Sequence, residues 1–212
     1  GVRTDVNFKN TNLFPNASAM YEFNQNMNLT ASYSKKIQQA DYNVLDPNNF
    51  ANFDQYNTSN GNPFLDPTFF DNFELKLTAF QYVQLGGNYT IANDVNKFIF
   101  DAKPNELVSN QTFKQFDKIN TFSLYASFPI PLDYFLKGKA EFEKRMNDMD
   151  TMNYIFFNIN YIDFDTKGYD FQFKPKPIMS YTATTQFILP WKIKNTMMYN
   201  LTPPGTWEIY NL

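Results

Sequence analysis

The sequence predicts an all-β fold, an antiparallel transmembrane β-barrel with about ten strands in view. Three observations predict it. Apolar and polar residues alternate along many short stretches, and successive side chains of a strand point to opposite faces. Aromatic residues make up 19% of the chain, with 24 Phe and 14 Tyr, yet the mean hydropathy is −0.49. Connections between the alternating stretches are short by turns and mostly long. A lipid face and a wet inner face on each strand give that composition, and short turns opposite long loops give that layout.

The elements follow in order. Residues 1–15 are irregular and end in Asn12-Leu13-Phe14-Pro15. Asn16 to Phe23 reads as a strand, with Ala17, Ala19, Tyr21 and Phe23 on one face. Asn24-Gln25-Asn26 is a tight turn, since Asn tolerates the left-handed conformation. Asn26 to Ser34 is a second strand, and residues 35–68 form a long polar loop rich in Asn, Pro and Asp. Asn72 to Phe80 alternates Phe73, Leu75, Leu77 and Ala79 with Asn72, Glu74, Lys76 and Thr78. A turn at Gln81 leads into Tyr82–Ile91. There Gly86-Gly87 marks a bend or a close packing contact. A second long segment is expected from Ala92 to Asp117. Thr121–Pro129 is a strand that proline ends. Phe135–Lys144 reads as another strand, with Lys137, Lys139, Glu141 and Glu143 on its polar face. Tyr154–Phe164 is largely apolar on both faces, and Thr151–Pro177 holds one broken strand or two. Met179–Leu189 and Lys192–Asn200 form the last clear pair, turned by Pro190-Trp191.

Composition excludes several function classes. The chain has no Cys and no His, which removes disulfides, thiolate sites, the usual zinc ligand and the usual general base. Net charge is 18 − 21 = −3, so no basic field awaits nucleic acid. No apolar run is long enough for a membrane helix, but about 9–11 alternating residues cross as a tilted strand. No signal peptide stands at Gly1, and the chain reads as mature or partial. An all-β sandwich is the competing fold. The asymmetric loops and the charged polar faces favour the barrel.

Two motifs carry a family resemblance. Ser32 to Pro47 reads S-Y-S-K-K-I-Q-Q-A-D-Y-N-V-L-D-P, and Gly61 to Leu75 reads G-N-P-F-L-D-P-T-F-F-D-N-F-E-L. The chain resembles the outer-membrane β-barrel region of TonB-dependent receptor-like proteins of the Bacteroidetes group. Gln39 stands where that family often has proline, and Asp66-Pro67 where it often has Lys-Pro or Arg-Pro. The resemblance implies one barrel region over residues 1–212, with 35–68 as an extracellular loop. It also implies a bacterial outer-membrane location and a wall that is part of a larger barrel. Receptors of this kind resemble 22-stranded barrels with a plugged lumen.

The candidate residues are placed by alternation. Glu74, Lys76, Gln84, Lys137, Lys139 and Glu141 are expected to face the lumen. Tyr21, Phe23, Tyr33, Tyr89, Phe187, Trp191 and Tyr199 gather near strand ends, where aromatic rings settle at the lipid headgroups. Loop aromatics such as Phe50, Phe53, Tyr56, Phe64, Phe69 and Phe70 are candidates for ligand or partner contact. Paired carboxylates (Glu141/Glu143, Asp163/Asp165) suit a solvated face better than acid–base catalysis, so no catalytic site is expected. Asp46, Asp66 and Asp71 lack EF-hand spacing, and no phosphate-binding Gly loop exists. No metal site and no cofactor are expected. The expected partners are outer-membrane lipid and other outer-membrane or periplasmic proteins, with no nucleic acid. Three functions are consistent with this reading: nutrient uptake through a receptor-type barrel, a non-transporting accessory barrel in a secretion or assembly complex, and a soluble lectin-like or adhesive β-domain.

Overall fold

The computed structural model describes residues 11–47, 57–80, 82–102, 109–145, 149–165, 176–207 and 210–211. Alternation does produce strands, and most of them lie in one sheet. Its strands are β1 (Asn16–Asn24), β2 (Met27–Gln38), β3 (Asn57–Ser59), β4 (Thr68–Ala79), β5 (Val83–Ala102), β6 (Ser109–Pro131), β7 (Tyr154–Asp165), β8 (Ile178–Ile188) and β9 (Lys194–Leu201). They are ordered β1-β2-β4-β5-β6-β7-β8-β9, with β3 added in parallel to β6. A short pair, β10 (Thr206–Trp207) and β11 (Tyr210–Asn211), stands apart. Among the described residues three α-helices interrupt the strands: α1 (Tyr42–Leu45), α2 (Leu132–Lys137) and α3 (Lys139–Arg145).

Apart from β3, neighbours in sequence are neighbours in the sheet, as in a meander. In β7–β8 the register pairs Ile159 with Tyr181 and Asn158 with Thr182. In β8–β9 it pairs Ala183 with Tyr199 and Thr182 with Asn200. Directly opposed residues share a face. One face of these three strands therefore carries Ile159, Tyr161, Met179, Tyr181, Tyr199 and Leu201. The other carries Asn158, Asn160, Ser180, Thr182, Gln186 and Asn200.

The chain divides into two compact units. The first comprises residues 1–17, 33–72 and 90–120. Its buried apolar residues are Leu65, Ala92, Val95, Phe116 and Ile119. Here the two motifs of the resemblance acquire a physical reason. Gly61 N–H donates to Asp46 O, and Asn62 N–H donates to Val44 O. A Cβ on residue 61 would lie 2.5 Å from Asp46 O and 2.6 Å from Val44 O, so only glycine fits. Asn62 Nδ2 donates to Phe113 O, and Asn110 Nδ2 donates to Asn60 Oδ1. Thr68 Oγ1 donates to Asp94 O, and Asn96 Nδ2 donates to Asp66 O. The motif residues thus latch the returning loop onto β5 and β6.

The second unit comprises residues 18–32, 73–89 and 121–212. It holds the short connections. Asn24 Oδ1 accepts the Asn26 N–H at 2.8 Å, which closes the first turn. Phe80 turns the chain in the left-handed region, with φ 49°, and Trp191 and Lys192 do so at 61° and 60°.

Three expectations are corrected. Ala92–Asp117 is largely strand, because β5 and β6, neighbours in the sheet, are 20 and 23 residues long. The 35–68 segment begins inside β2 and carries α1 and β3. Phe135–Lys144 is two helices and not a strand. Its charges satisfy a helical spacing as well as an alternating one: Lys137 pairs with Asp133 and Lys139 with Glu143, each four residues apart. Gly138, with φ 86°, ends α2 in a conformation that a strand residue would not adopt. The weak strand expected at Tyr169–Phe173 lies outside the described residues.

Candidate functional site

The polar face of the second unit is the candidate site. It centres on Glu74 in β4. The Ser32 hydroxyl of β2 donates to Glu74 Oε2 at 3.5 Å, and the Tyr125 hydroxyl of β6 donates to Glu74 Oε1 at 3.2 Å. β5 lies between β4 and β6, so Tyr125 must reach over it. Gly86 makes that reach possible. A Cβ there would fall within 2.6 Å of Tyr125 Cε1 and closer still to its Cζ and hydroxyl oxygen. The missing side chain of β5 is the slot in which the tyrosine ring lies. The close packing expected at Gly86-Gly87 is present, and its partner is Tyr125.

Uncharged groups continue this face. Ser127 Oγ donates to Asn158 Oδ1 at 2.8 Å, and Thr182 Oγ1 donates to Asn200 Oδ1 at 2.8 Å. Asn160 Nδ2 donates to Ser180 Oγ at 3.4 Å. The ladder binds adjacent strands to one another with hydroxyls and amides. On the opposite face Phe73, Leu75, Leu85, Phe122, Leu124, Met197 and Leu201 are exposed. Such a two-faced sheet separates an apolar medium from a wet one.

A second polar cluster sits where the β6–β7 connection meets β8. Asp133 is 0% exposed. It accepts hydrogen bonds from Asn153 Nδ2 at 2.6 Å and from the Asn153 N–H at 3.3 Å, and it pairs with Lys137 Nζ at 3.0 Å. Burial pushes the Asp133 carboxyl up. The hydrogen bonds from Asn153 and Lys137 and the lysine charge outweigh it, so the group is held below the usual carboxylate range. Asn153 Oδ1 accepts the Ile188 N–H at 2.6 Å, and Gln186 Nε2 donates to Met152 O at 3.1 Å. The result is a polar clamp from α2 through the start of β7 to the end of β8.

The candidates chosen from the sequence divide between these places. Glu74 is at the centre of the site. Lys76 and Gln84 each stand two residues along their strands from Glu74 and Gly86, and therefore on the same face. Lys137, Lys139 and Glu141 lie on α2 and α3, so the alternation that assigned them to a strand face does not hold. Lys137 serves the Asp133 clamp, Lys139 pairs with Glu143, and Glu141 pairs with Lys144.

Of the aromatic candidates, Tyr21, Phe23, Tyr89, Phe187, Trp191 and Tyr199 are exposed, with Trp191 the most exposed at 90%. Tyr21 and Phe23 meet edge to face at 4.9 Å. Tyr33 is half-buried and donates to Asp71 Oδ1 at 2.7 Å. Phe64 is exposed, Phe69 and Phe70 lie half-buried in β4, and Phe50, Phe53 and Tyr56 lie outside the described residues. Sequence reasoning missed Ser32, Tyr125 and the Asp133–Asn153 pair. Only the glycine pair hinted at Tyr125. Among the described residues no acidic cluster is arranged to hold a metal ion.

A profile of the outer membrane protein beta-barrel family matches residues 2–211. The chain belongs to this family. Its location is the outer membrane, and its sheet is barrel wall. Among solved structures it is similar to the crystal structure of the siderophore receptor PirA from Pseudomonas aeruginosa. The TM-score is 0.63 at 12% identity, over 91% of this chain and 34% of that one. At that identity the likeness establishes the fold alone. The chain thus spans about a third of the length of the receptor that it matches. No curated protein matches it.

Proposed function

We propose that this chain is a section of the wall of a TonB-dependent receptor-like barrel of Bacteroidetes type, serving nutrient uptake across the outer membrane. The observation that carries this reading is the fixed Glu74 on the polar face. A carboxylate at the level of the apolar band is costly unless it faces water or protein. Ser32 and Tyr125 hold it in one place, which suits a group that meets a solute or an inner domain. In this reading the short turns face the periplasm and the long strands β5 and β6 rise beyond the membrane outside the cell. About 9–11 residues suffice to cross, and β5 and β6 have 20 and 23. Lys76 and Gln84 then line the interior beside Glu74. Exposed Trp191, Tyr199, Tyr21 and Phe23 occupy the headgroup levels.

A second reading is a non-transporting accessory barrel held in a larger outer-membrane complex. One observation favours it. α2 buries its Asp133 yet exposes Phe135 at 71% and Leu136 at 73%, an inverted polarity that suits a protein neighbour.

The deciding experiment purifies the protein from outer membranes and measures its melting temperature against neutral oligosaccharides, ferric chelates and short peptides. The Glu74→Ala variant serves as comparison, and cells lacking the protein are assayed for uptake. The uptake reading predicts that one ligand class raises the melting temperature, less so in Glu74→Ala, and that cells without the protein lose its uptake. Recovery in a stoichiometric protein complex, with no ligand shift and unimpaired uptake, would establish the accessory barrel instead.

A further inference from the structure

The apolar face of the second unit is not uniformly studded with side chains. Gly87 of β5 and Ala126 of β6 leave a trough in it of about 630 Å³. Leu75 and Leu77 of β4 stand on one flank, and Ile159 and Tyr161 of β7 on the other. From β4 to β7 is three strand spacings, roughly 14 Å, and between them β5 and β6 contribute Gly87 and Ala126 beside Leu85 and Leu124. Leu124 leans over residue 87 so closely that a Cβ there would lie 3.0 Å from its Cδ2. The Gly86-Gly87 pair therefore does two things. Gly86 opens the polar face to Tyr125, and Gly87 makes room on the apolar face for the leaning Leu124.

We propose that this trough is the seat of one acyl chain of an outer-membrane lipid, held longer than the lipids around it. The inference rests on membership of the outer-membrane barrel family and not on the uptake reading. The trough is continuous with the exposed apolar face of Phe73, Leu85, Phe122 and Phe187, which in an outer-membrane barrel meets lipid. Its walls are aliphatic and aromatic side chains, which match a hydrocarbon chain. An unfilled trough would forfeit dispersion contacts on every wall. A chain that lies in it is touched from below and from both sides, whereas a chain against Phe73 or Phe187 is touched from one side only. Small residues let the occupant approach the backbone closely, as they do where helices meet in membranes.

The test is native mass spectrometry of the protein extracted from outer membranes in mild detergent, with the retained lipids identified. Ala126→Phe and Gly87→Leu fill the trough. Ala183→Phe adds the same bulk on the same face of β8, outside the trough. Circular dichroism shows which variants keep their β-structure.

The native chain and Ala183→Phe are expected to retain one lipid per protein. In the two filling variants retention should fall about tenfold, the factor that exposing roughly two methylene groups produces. Equal retention in all four proteins would overturn the proposal, as would the absence of retained lipid on the native chain. Loss of a co-purifying protein from the filling variants, with lipid unchanged, would assign the trough to a polypeptide. Should one filling variant fail to fold, the other decides.

Discussion

Substitution of Gly86 by alanine tests the centre of the site. The new Cβ would collide with the Tyr125 ring, within 2.6 Å of Cε1 and nearer to two further atoms. The ring is held by its bond to Glu74 and by the strand beneath it, so it has to swing out of the slot. That breaks the 3.2 Å bond to the carboxylate. A hydrogen bond to a charged group is worth about 1.5–3 kcal/mol. Overpacking a filled site adds about 1–3 kcal/mol. Replacing a strand glycine by alanine returns about 0.5–1 kcal/mol of backbone entropy. The net expected cost is about 2–5 kcal/mol. The assay is urea unfolding of the protein in detergent micelles, followed by tyrosine fluorescence and circular dichroism, as a double-mutant cycle with Tyr125→Ala. Once the ring is absent, Gly86→Ala should cost nothing and even stabilise by about 0.5 kcal/mol. An equal penalty with and without the tyrosine would refute the slot, and would mean that residue 86 needs glycine for its own backbone.

Further outcomes are expected from other parts of the chain. Asn153→Ala removes the Nδ2 donor from buried Asp133 and the Oδ1 acceptor from the Ile188 N–H, and should destabilise the 132–153 connection by about 3 kcal/mol, read as faster amide exchange there and at Ile188. The lowered Asp133 pKa makes its contribution full above about pH 4, the ordinary carboxylate value, and lost as pH falls through the lower folded value. Asp133→Asn should flatten that acid limb of the stability profile, and an unchanged limb would assign it to other carboxylates. Gly61→Ala sets a Cβ against Asp46 O and Val44 O. Amide exchange should then rise across β3 and α1, with the second unit unaffected. Trp191 and Lys192 occupy left-handed backbone. Changing them to Asn-Gly, the pair that such turns prefer, should raise stability in detergent by about 1–3 kcal/mol. In the native chain, lipid-borne nitroxides should quench the Trp191 fluorescence, and unquenched emission would remove that ring from the headgroup level.

The sequence by itself determined the fold class, the family and the two-faced character of the strands. Alternation is a local property: Glu74 and Leu75 point apart whatever lies around them. The turn at Asn24-Gln25-Asn26 was equally legible, because the Asn24 side chain closes it without help from elsewhere. Tertiary structure decided what depends on residues distant in the chain. Tyr125 and Glu74 are 51 residues apart, and only the strand order places Gly86 between them. Asp133 and Asn153 meet across a connection that alternation read as a strand, because F-L-K-G-K-A-E-F-E-K fits a period of two as well as helical ion pairs. Burial of Asp133 and the left-handed Gly138 resolve that ambiguity, and neither is visible in the letters. The length of β5 and β6 was hidden for a related reason. Asp94, Asn96 and Asn110 look like loop residues, and they are held in strands by partners from the returning loop and the neighbouring strands.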